Sequence, residues 1–299
     1  MTERRARKFP LRLNELGSRP ARALSSARNP VVPTATPVFT LAPKLRATAA
    51  AARAVLRPQR LLEEAHAQAS RRSVAWGAGL DSADIRQRMA DRLRRAGVRD
   101  ERVLAALAAV PRHRFVDAAL VAQAYEDTSL PIGHNQTISK PSVVARMLEL
   151  LFGGAAAQRS GHLGRALEIG TGCGYQASVL ARLARHVVSV ERLQPLHEKA
   201  RALLAGDRPA HLRLVYGDGM LGHPPNAPYD SIVAAAGGDA VPGAWLEQLA
   251  IGGRLVCPVR RVGTDRQVLV VVDRTEHGYA ENIFDAVHFV PLKSGLAAK

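Results

Sequence analysis

Alternating glycines define the segment with the clearest chemical meaning in this chain of 299 residues. The run from Leu167 to Gln176 reads Leu-Glu-Ile-Gly-Thr-Gly-Cys-Gly-Tyr-Gln, an apolar stretch that leads into three glycines. Glycine lets the backbone turn sharply and lets a ligand approach without a Cβ in the way. Free N–H groups at the start of the following helix attract a negatively charged group. The loop therefore predicts a nucleotide-like cofactor at a strand–helix junction.

Two acidic residues follow this loop at positions that suit a nucleoside. Glu191 ends the next apolar run, where an acid commonly binds ribose hydroxyls, and Asp218 follows a third run, where it could accept a hydrogen bond from an adenine amino group. The residues that we expect to contact the cofactor are Glu168, Gly170, Gly172, Gly174, Glu191, Asp218 and Gly219. The relaxed glycine pattern suits S-adenosylmethionine and a nicotinamide dinucleotide alike, so both cofactors stay open on these residues alone.

Strand and helix patterns alternate around these residues from about residue 165 onward. Helical patterns separate five apolar runs that predict strands, at 166–169, 186–191, 212–216, 229–236 and 254–259. Such alternation is typical of βαβ units with a mostly parallel sheet. Two further β-rich runs, 267–273 and 284–291, predict an antiparallel pair that completes the sheet. The sequence thus predicts a Rossmann-like α/β fold, a twisted sheet with helices on both faces.

The stretch before the glycine loop carries a more specific pattern. Residues 125–127 read Tyr-Glu-Asp, and residues 130–139 read Leu-Pro-Ile-Gly-His-Asn-Gln-Thr-Ile-Ser, followed shortly by Pro141. Residues 110–116 read Val-Pro-Arg-His-Arg-Phe-Val, and residues 289–292 read Phe-Val-Pro-Leu. Together with the glycine loop, these motifs resemble those of the protein-L-isoaspartate O-methyltransferases, from about residue 85 to residue 292.

This resemblance implies a class I methyltransferase fold with S-adenosyl-L-methionine as methyl donor. It implies a repair enzyme of the class EC 2.1.1.77, which methylates the free α-carboxylate of L-isoaspartyl residues in damaged proteins and peptides. The ester then closes to a succinimide, and hydrolysis returns part of it to L-aspartate. By the same resemblance, Ser139 is the active-site serine, and Thr137 and Ile138 form the substrate pocket with it.

Ser139 also fits a purely structural role. It stands just before Pro141 and a run of apolar residues at helical spacing, which is the place of a helix N-cap. The sequence leaves open whether the serine hydroxyl acts on substrate or caps this helix.

Charge divides the chain into two predicted parts. The net charge is +16, and residues 1–80 hold 15 Lys or Arg against 4 Asp or Glu. We expect a disordered basic extension rich in Ala, Arg and Pro at 1–80, and a methyltransferase domain at 81–299. The extension would bind nucleic acid only nonspecifically, through phosphates.

Composition and spacing narrow the remaining possibilities. No apolar run approaches the roughly 18 residues of a membrane helix, and two cysteines exclude a disulfide framework, so we expect a cytoplasmic protein. We also expect it to be a monomer. No metal-ligand spacing is present, so we expect no metal. Two other functions stay open: a nicotinamide oxidoreductase, from the relaxed glycine pattern, and a nucleic-acid-binding protein with a methyltransferase fold, from the basic extension.

Overall fold

The computed structural model describes residues 83–261, 263–264 and 266–297. The predicted basic extension, residues 1–80, lies outside the described residues. Within the described part, no helix is both long enough and apolar enough to cross a membrane.

A helical segment and a short hairpin precede the main sheet. The helices are α1 (Ala83–Arg95) and α2 (Glu101–Ala109), followed by 3-10 turns at Arg112–Phe115 and Ala118–Gln123. Asp100 caps α2, because its side chain accepts hydrogen bonds from the N–H groups of Arg102 and Val103.

The hairpin lies in a stretch, residues 112–140, whose sequence shows no strong periodicity. Its strands are β1 (Leu130–Gly133) and β2 (Gln136–Ile138), paired antiparallel. His134 and Asn135 join them with φ of 52° and 55°, the left-handed backbone that a two-residue hairpin turn requires. The hairpin returns the chain to Ser139, directly before helix α3 (Pro141–Phe152).

Seven strands form the main sheet, and five of them are parallel. The strands are β3 (Arg165–Ile169), β4 (His186–Glu191), β5 (Leu212–Tyr216), β6 (Tyr229–Ala234), β7 (Leu249–Arg260), β8 (Gln267–Thr275) and β9 (Gly278–Val287). Their order across the sheet is β5-β4-β3-β6-β7-β8-β9, and the last two pairings, β7 with β8 and β8 with β9, are antiparallel. The chain order reverses between β3 and β6, which is where open α/β sheets bind ligands.

Helices cover both faces of this sheet. They are α4 (Ala155–Ser160), α5 (Tyr175–Leu180), α6 (Gln194–Leu203) and α7 (Gly243–Gln248), in addition to α1–α3. Neighbouring strand residues belong to separate cores, Ala166 to one and Leu167 to the other, because side chains alternate across a strand. The first core includes α1–α5, and the second includes Trp245 of α7. The predicted fold class is therefore confirmed.

Several strand predictions were wrong at their ends. The run predicted at 254–259 is the later part of β7, which begins at Leu249, and the run predicted at 267–273 continues to Thr275. The run predicted at 229–236 leaves the sheet after Ala234. The run predicted at 284–291 is the end of β9, which begins earlier, at Gly278, and stops at Val287. Pro291 has no N–H to give a neighbouring strand, and the chain around it bonds to Gly237, whose N–H donates to the Val290 carbonyl at 2.8 Å.

Candidate active site

The glycine loop has the backbone that its sequence predicts. Gly170, Gly172 and Gly174 have φ of 90°, 55° and 90°, which only glycine adopts without strain. The Gly172 N–H donates a hydrogen bond of 2.8 Å to Glu191 Oε2, so the loop is joined to the end of the neighbouring strand. Gly174 then begins helix α5. The three glycines thus leave their own backbone uncovered by a side chain at the carboxyl end of β3.

Glu191 is held in place by two backbone groups. Besides the Gly172 bond, its Oε1 accepts a hydrogen bond of 2.9 Å from the Leu193 N–H, and the residue is 5% exposed. Each carboxylate oxygen has a second lone pair, so the pre-oriented group can still accept hydrogen bonds from two hydroxyls. This is what a ribose ring would require of it.

Glu168 lies behind the loop and does not line the cavity. The residue is fully buried, and its Oε2 accepts a hydrogen bond of 2.5 Å from the Ser189 hydroxyl, which is 2.6 Å from the Thr171 hydroxyl. Burial raises the pKa of Glu168 to about 8. Glu168, in its protonated form, therefore holds Thr171 of the glycine loop in place through the Ser189 hydroxyl.

Replacing Glu168 by Gln is expected to flatten the pH dependence of stability. Because the pKa of Glu168 is higher in the folded chain than in the unfolded chain, its contribution to stability is fully present below about pH 4.5 and lost as pH rises toward about 8. The free energy of unfolding, measured by urea denaturation from pH 5 to pH 8.5, should therefore fall more steeply in the wild type than in Glu168→Gln. Parallel curves for the two proteins would contradict the buried, neutral carboxyl.

Asp218 bonds to the chain's own C-terminal segment. Its Oδ1 accepts a hydrogen bond of 2.9 Å from the Met220 N–H, and its Oδ2 accepts one of 2.6 Å from the Gly295 N–H. Gly219, the next residue, lines the cavity, and a Cβ there would lie 2.6 Å from a methyl carbon of Ile169. The structure thus places Gly219 at the predicted site and Asp218 beside it.

Residues 288–297, which we call the closing segment, cross the carboxyl edge of the sheet. The Leu292 N–H donates to the Gly237 carbonyl at 2.8 Å, and the Ala297 N–H donates to the Arg192 carbonyl at 3.0 Å. The segment therefore passes from the end of β6 to the end of β4 and covers the glycine loop side of the site. The sequence motif at 289–292 singled out this stretch but did not predict where it lies in the fold. Its backbone hydrogen bonds join residues far apart in the chain, and no local sequence pattern predicts such bonds.

A cavity of about 300 Å³ joins these parts. It is lined by predicted site residues from four places in the chain and by the closing segment: Thr137, Ile138, Ser139, Gly170, Gly172, Glu191, Gly219, Val290, Pro291, Leu292 and Lys293. Glu168, Gly174 and Asp218 are not among the lining residues. The volume lies at the lower end of the range for small-molecule sites. The hairpin segment and the glycine loop thus line the same cavity.

Ser139 does not cap helix α3, so this structural interpretation was wrong. The N-cap position is Lys140, without a side-chain hydrogen bond, and Pro141 opens the helix. Asp127 takes the capping role from outside the helix, since its two oxygens accept hydrogen bonds from the Ser142 N–H at 2.8 Å and the Ser142 hydroxyl at 2.7 Å. The Ser139 hydroxyl is thereby left to the cavity. Sequence reasoning missed Asp127 because the cap acts across 15 residues.

Asp127→Ala is expected to lower the free energy of unfolding by about 1 kcal/mol, the usual cost of losing a helix cap. Chemical denaturation measures this change. Asp117→Ala is the matched control, because the Asp117 side chain is 64% exposed and only pairs with Lys199 at 3.4 Å. An equal loss in both variants would show that Asp127 does not cap the helix.

Cysteine and metal chemistry find no support in this site. Burial raises the pKa of the Cys173 thiol to about 11, so the thiol stays protonated at neutral pH and is a poor nucleophile. In the part of the chain that the structure describes, no three His, Cys, Asp or Glu side chains are close enough together to hold a metal ion.

The fold and cavity define a class of protein. The sheet order, the glycine loop at the end of β3 and an acid at the end of β4 are those of an S-adenosylmethionine-dependent methyltransferase of class I. The model of the family described as protein-L-isoaspartate(D-aspartate) O-methyltransferase matches residues 84–297. The chain belongs to this family.

Similar proteins agree with this assignment. The chain is 60% identical to a protein-L-isoaspartate O-methyltransferase of Methylibium petroleiphilum, over 81% of this chain and 89% of the relative. It is 47% identical to one of Burkholderia mallei, over 99% of this chain and 100% of the relative, so residues 1–80 have a counterpart there. A solved protein-L-isoaspartate O-methyltransferase is 29% identical with a TM-score of 0.63, covering 71% of this chain and 67% of that chain. A Plasmodium falciparum structure, bound to S-adenosyl-L-homocysteine, shares the fold at 22% identity with a TM-score of 0.58, covering 70% of this chain and 98% of that chain.

Proposed function

We propose that this chain transfers the methyl group of S-adenosyl-L-methionine to the free α-carboxylate of L-isoaspartyl residues, with Ser139 orienting that carboxylate. The observation that carries the proposal is that Ser139 and the glycine loop line one cavity. In the methyl ester, methoxide is a better leaving group than the oxygen of a free carboxylate. The following backbone nitrogen can therefore attack the ester carbonyl and release methanol, and hydrolysis of the resulting succinimide returns part of the residue to L-aspartate. The function is therefore repair of damaged proteins, and the relatives described above are methyltransferases, which favours this function over the nicotinamide alternative.

The residues of the site fit the methyl donor. Gly172 and Gly219 leave backbone exposed to a ligand, and a Cβ at Gly219 would require Ile169 to shift. Glu191 is pre-oriented to accept hydrogen bonds from ribose hydroxyls. When bound, S-adenosyl-L-methionine supplies a methyl group on a positively charged sulfur.

The chain needs little beyond positioning to promote this reaction. The acceptor carboxylate is ionised at neutral pH, so it needs no general base. One of its oxygens bonds to the methyl carbon as the carbon–sulfur bond breaks, and the bond pair stays on sulfur. We assign the Ser139 hydroxyl to donate a hydrogen bond to the acceptor, while Thr137 and Ile138 shape the pocket beside it. Holding the reacting atoms in line can contribute about 7–11 kcal/mol in favourable cases.

Labelled methyl transfer to matched peptides tests this function. The peptides carry L-isoaspartate or L-aspartate at one position and are otherwise identical. We expect base-labile label on the isoaspartyl peptide alone, because only there is the α-carboxylate free: it is attached directly to Cα while the main chain continues through the β-carboxyl, whereas the aspartyl peptide offers only a β-carboxylate. Label on neither peptide, with S-adenosylhomocysteine still bound, would overturn the substrate assignment.

Three further properties complete the proposal. We assign the chain to the cytoplasm, on the strength of its low cysteine content and the lack of a long apolar run in its sequence. We also assign it a monomeric state. We assign the basic residues 1–80 nonspecific binding of nucleic acid at most. Binding of duplex DNA that resists 200 mM salt would contradict this last assignment, and size-exclusion chromatography with light scattering tests the monomer.

A further inference from the structure

Arg112 is a fully buried cation directly behind Ser139. Its side chain is 0% exposed, and its Nη2 donates a hydrogen bond of 2.7 Å to the Ser139 carbonyl. Its Nε donates one of 2.8 Å to the Ala124 carbonyl, and Nη2 also lies 3.4 Å from the Thr128 carbonyl. Arg112 thus fixes the backbone of Ser139 to the segment that precedes the hairpin.

The charge of Arg112 is poorly compensated. Each of its hydrogen bonds goes to a neutral carbonyl, and Nη1 has no partner of hydrogen-bond geometry in the described part of the chain. Asp127 acts on it electrostatically without a hydrogen bond to it in the described residues, and the two oxygens of Asp127 already bond to Ser142. Burial lowers the pKa of Arg112, as expected of a cation removed from water, although an arginine stays charged.

The guanidinium also lies against the wall of the cavity. Its central carbon is 4.8 Å from the ring centre of Tyr175, and Tyr175 lines the cavity together with Ser139. Because Arg112 bonds to the carbonyl of Ser139, an anion bonded to the hydroxyl of the same residue would lie close to this cation. In a buried environment such a charge acts with little screening by solvent.

We propose that Arg112 is a positioning and specificity-determining residue, which holds Ser139 and supplies the buried positive charge that selects an ionised acceptor over a neutral one. This inference rests on the proposed function, because it takes a carboxylate as the substrate. It also has a consequence for turnover: methylation neutralises the acceptor, so the product ester loses the attraction that held the substrate.

Two lysines near the cavity are weaker sources of this charge. Lys293 lines the cavity and Lys140 follows Ser139, but both side chains are exposed to solvent. Solvent screens the field of an exposed ammonium, whereas the buried guanidinium is not screened in this way. Arg192 also lines the cavity, but it is only half-buried, and its Nε donates to the Gly295 carbonyl at 2.8 Å. Arg112 is therefore the cation expected to discriminate between a charged and a neutral acceptor.

Competition binding with two peptides tests the proposal. One peptide contains L-isoaspartate, and the other has a primary amide in place of the free α-carboxylate, so that they differ in charge but hardly in shape. We expect wild type to bind the carboxylate peptide at least about tenfold more tightly than the amide peptide. Arg112→Met should lose most of this ratio, and Arg112→Lys should keep it. The kcat should fall in both variants, because the Ser139 carbonyl loses the guanidinium hydrogen bond that holds it.

Arg92→Met is the matched control. Arg92 Nη2 donates to the Tyr125 carbonyl at 2.6 Å, so this variant removes a guanidinium–carbonyl bond in the same segment without touching Ser139. It should keep the wild-type ratio. Loss of the ratio in Arg92→Met, or in Lys293→Met, would overturn the assignment to Arg112, as would a wild-type ratio in folded Arg112→Met.

Ser139→Ala keeps the test decisive if the Arg112 variants fail to fold. The serine hydroxyl can donate to either peptide, although its hydrogen bond to the carboxylate is the stronger of the two. Ser139→Ala should therefore weaken both peptides and lower their ratio only in part, because the buried cation still favours the carboxylate, and complete loss of the ratio would overturn the proposal. Failure of the proposed function would look different, because wild type would then transfer no methyl group to the isoaspartyl peptide at all.

Discussion

Glu191→Ala is expected to raise the Kd for S-adenosylhomocysteine by about a hundredfold or more. A hydrogen bond to a charged group contributes about 1.5–3 kcal/mol, and a ribose ring offers two hydroxyls to one carboxylate. The variant would in addition leave the N–H groups of Gly172 and Leu193 without their acceptor, so the loop itself would lose its anchor. Isothermal titration calorimetry measures the change directly.

The conservative and control variants separate these two contributions. Glu191→Gln keeps an acceptor for one backbone N–H but loses the charge, so its Kd should lie between those of wild type and Glu191→Ala. Glu198→Ala, at an exposed position of α6 where the carboxylate accepts only from Gln194, should bind like wild type. If Glu191→Ala bound S-adenosylhomocysteine as tightly as Glu198→Ala, the ribose assignment would be wrong.

The sheet was predictable from the sequence because each buried strand is itself a short run of apolar residues. Strands β4 (His186–Glu191) and β5 (Leu212–Tyr216) are short apolar runs between helical patterns, and their predicted bounds match the structure. Prediction was wrong where an apolar run continues past its strand, as after Ala234 and Val287. Hydropathy marks a residue as buried but does not say which backbone it pairs with.

The sequence predicted the glycine loop and Glu191 of the candidate site, but it did not predict the residues that hold the site in place. The glycine loop and Glu191 follow from residue types and spacing at a strand end, a local rule. The supports act over long range: Asp127 caps a helix that begins 14 residues later, and Arg112 bonds to Ser139 from 27 residues away. No sequence periodicity connects such pairs, so the sequence alone could not exclude Ser139 as the N-cap of helix α3.

Ser139→Ala is expected to lower kcat/KM for an isoaspartyl peptide by about 10- to 100-fold. The serine would donate one charge-assisted hydrogen bond to the acceptor carboxylate, which is worth about 1.5–3 kcal/mol, and each 1.36 kcal/mol is a factor of ten. Stability should change little, because the serine hydroxyl does not cap helix α3. The Kd for S-adenosylhomocysteine should stay within about twofold of wild type, since Glu191 and the glycine loop are untouched.

The neighbouring residue provides the control for this experiment. Lys140 occupies the N-cap position without using its side chain, and it does not line the cavity, so Lys140→Ala should keep kcat/KM within about twofold of wild type. A loss in Lys140→Ala equal to that in Ser139→Ala would mean that any change at this helix start disturbs the pocket. Wild-type activity in Ser139→Ala would show that the serine hydroxyl does not hold the acceptor, and the backbone around Arg112 would then be the feature that holds it.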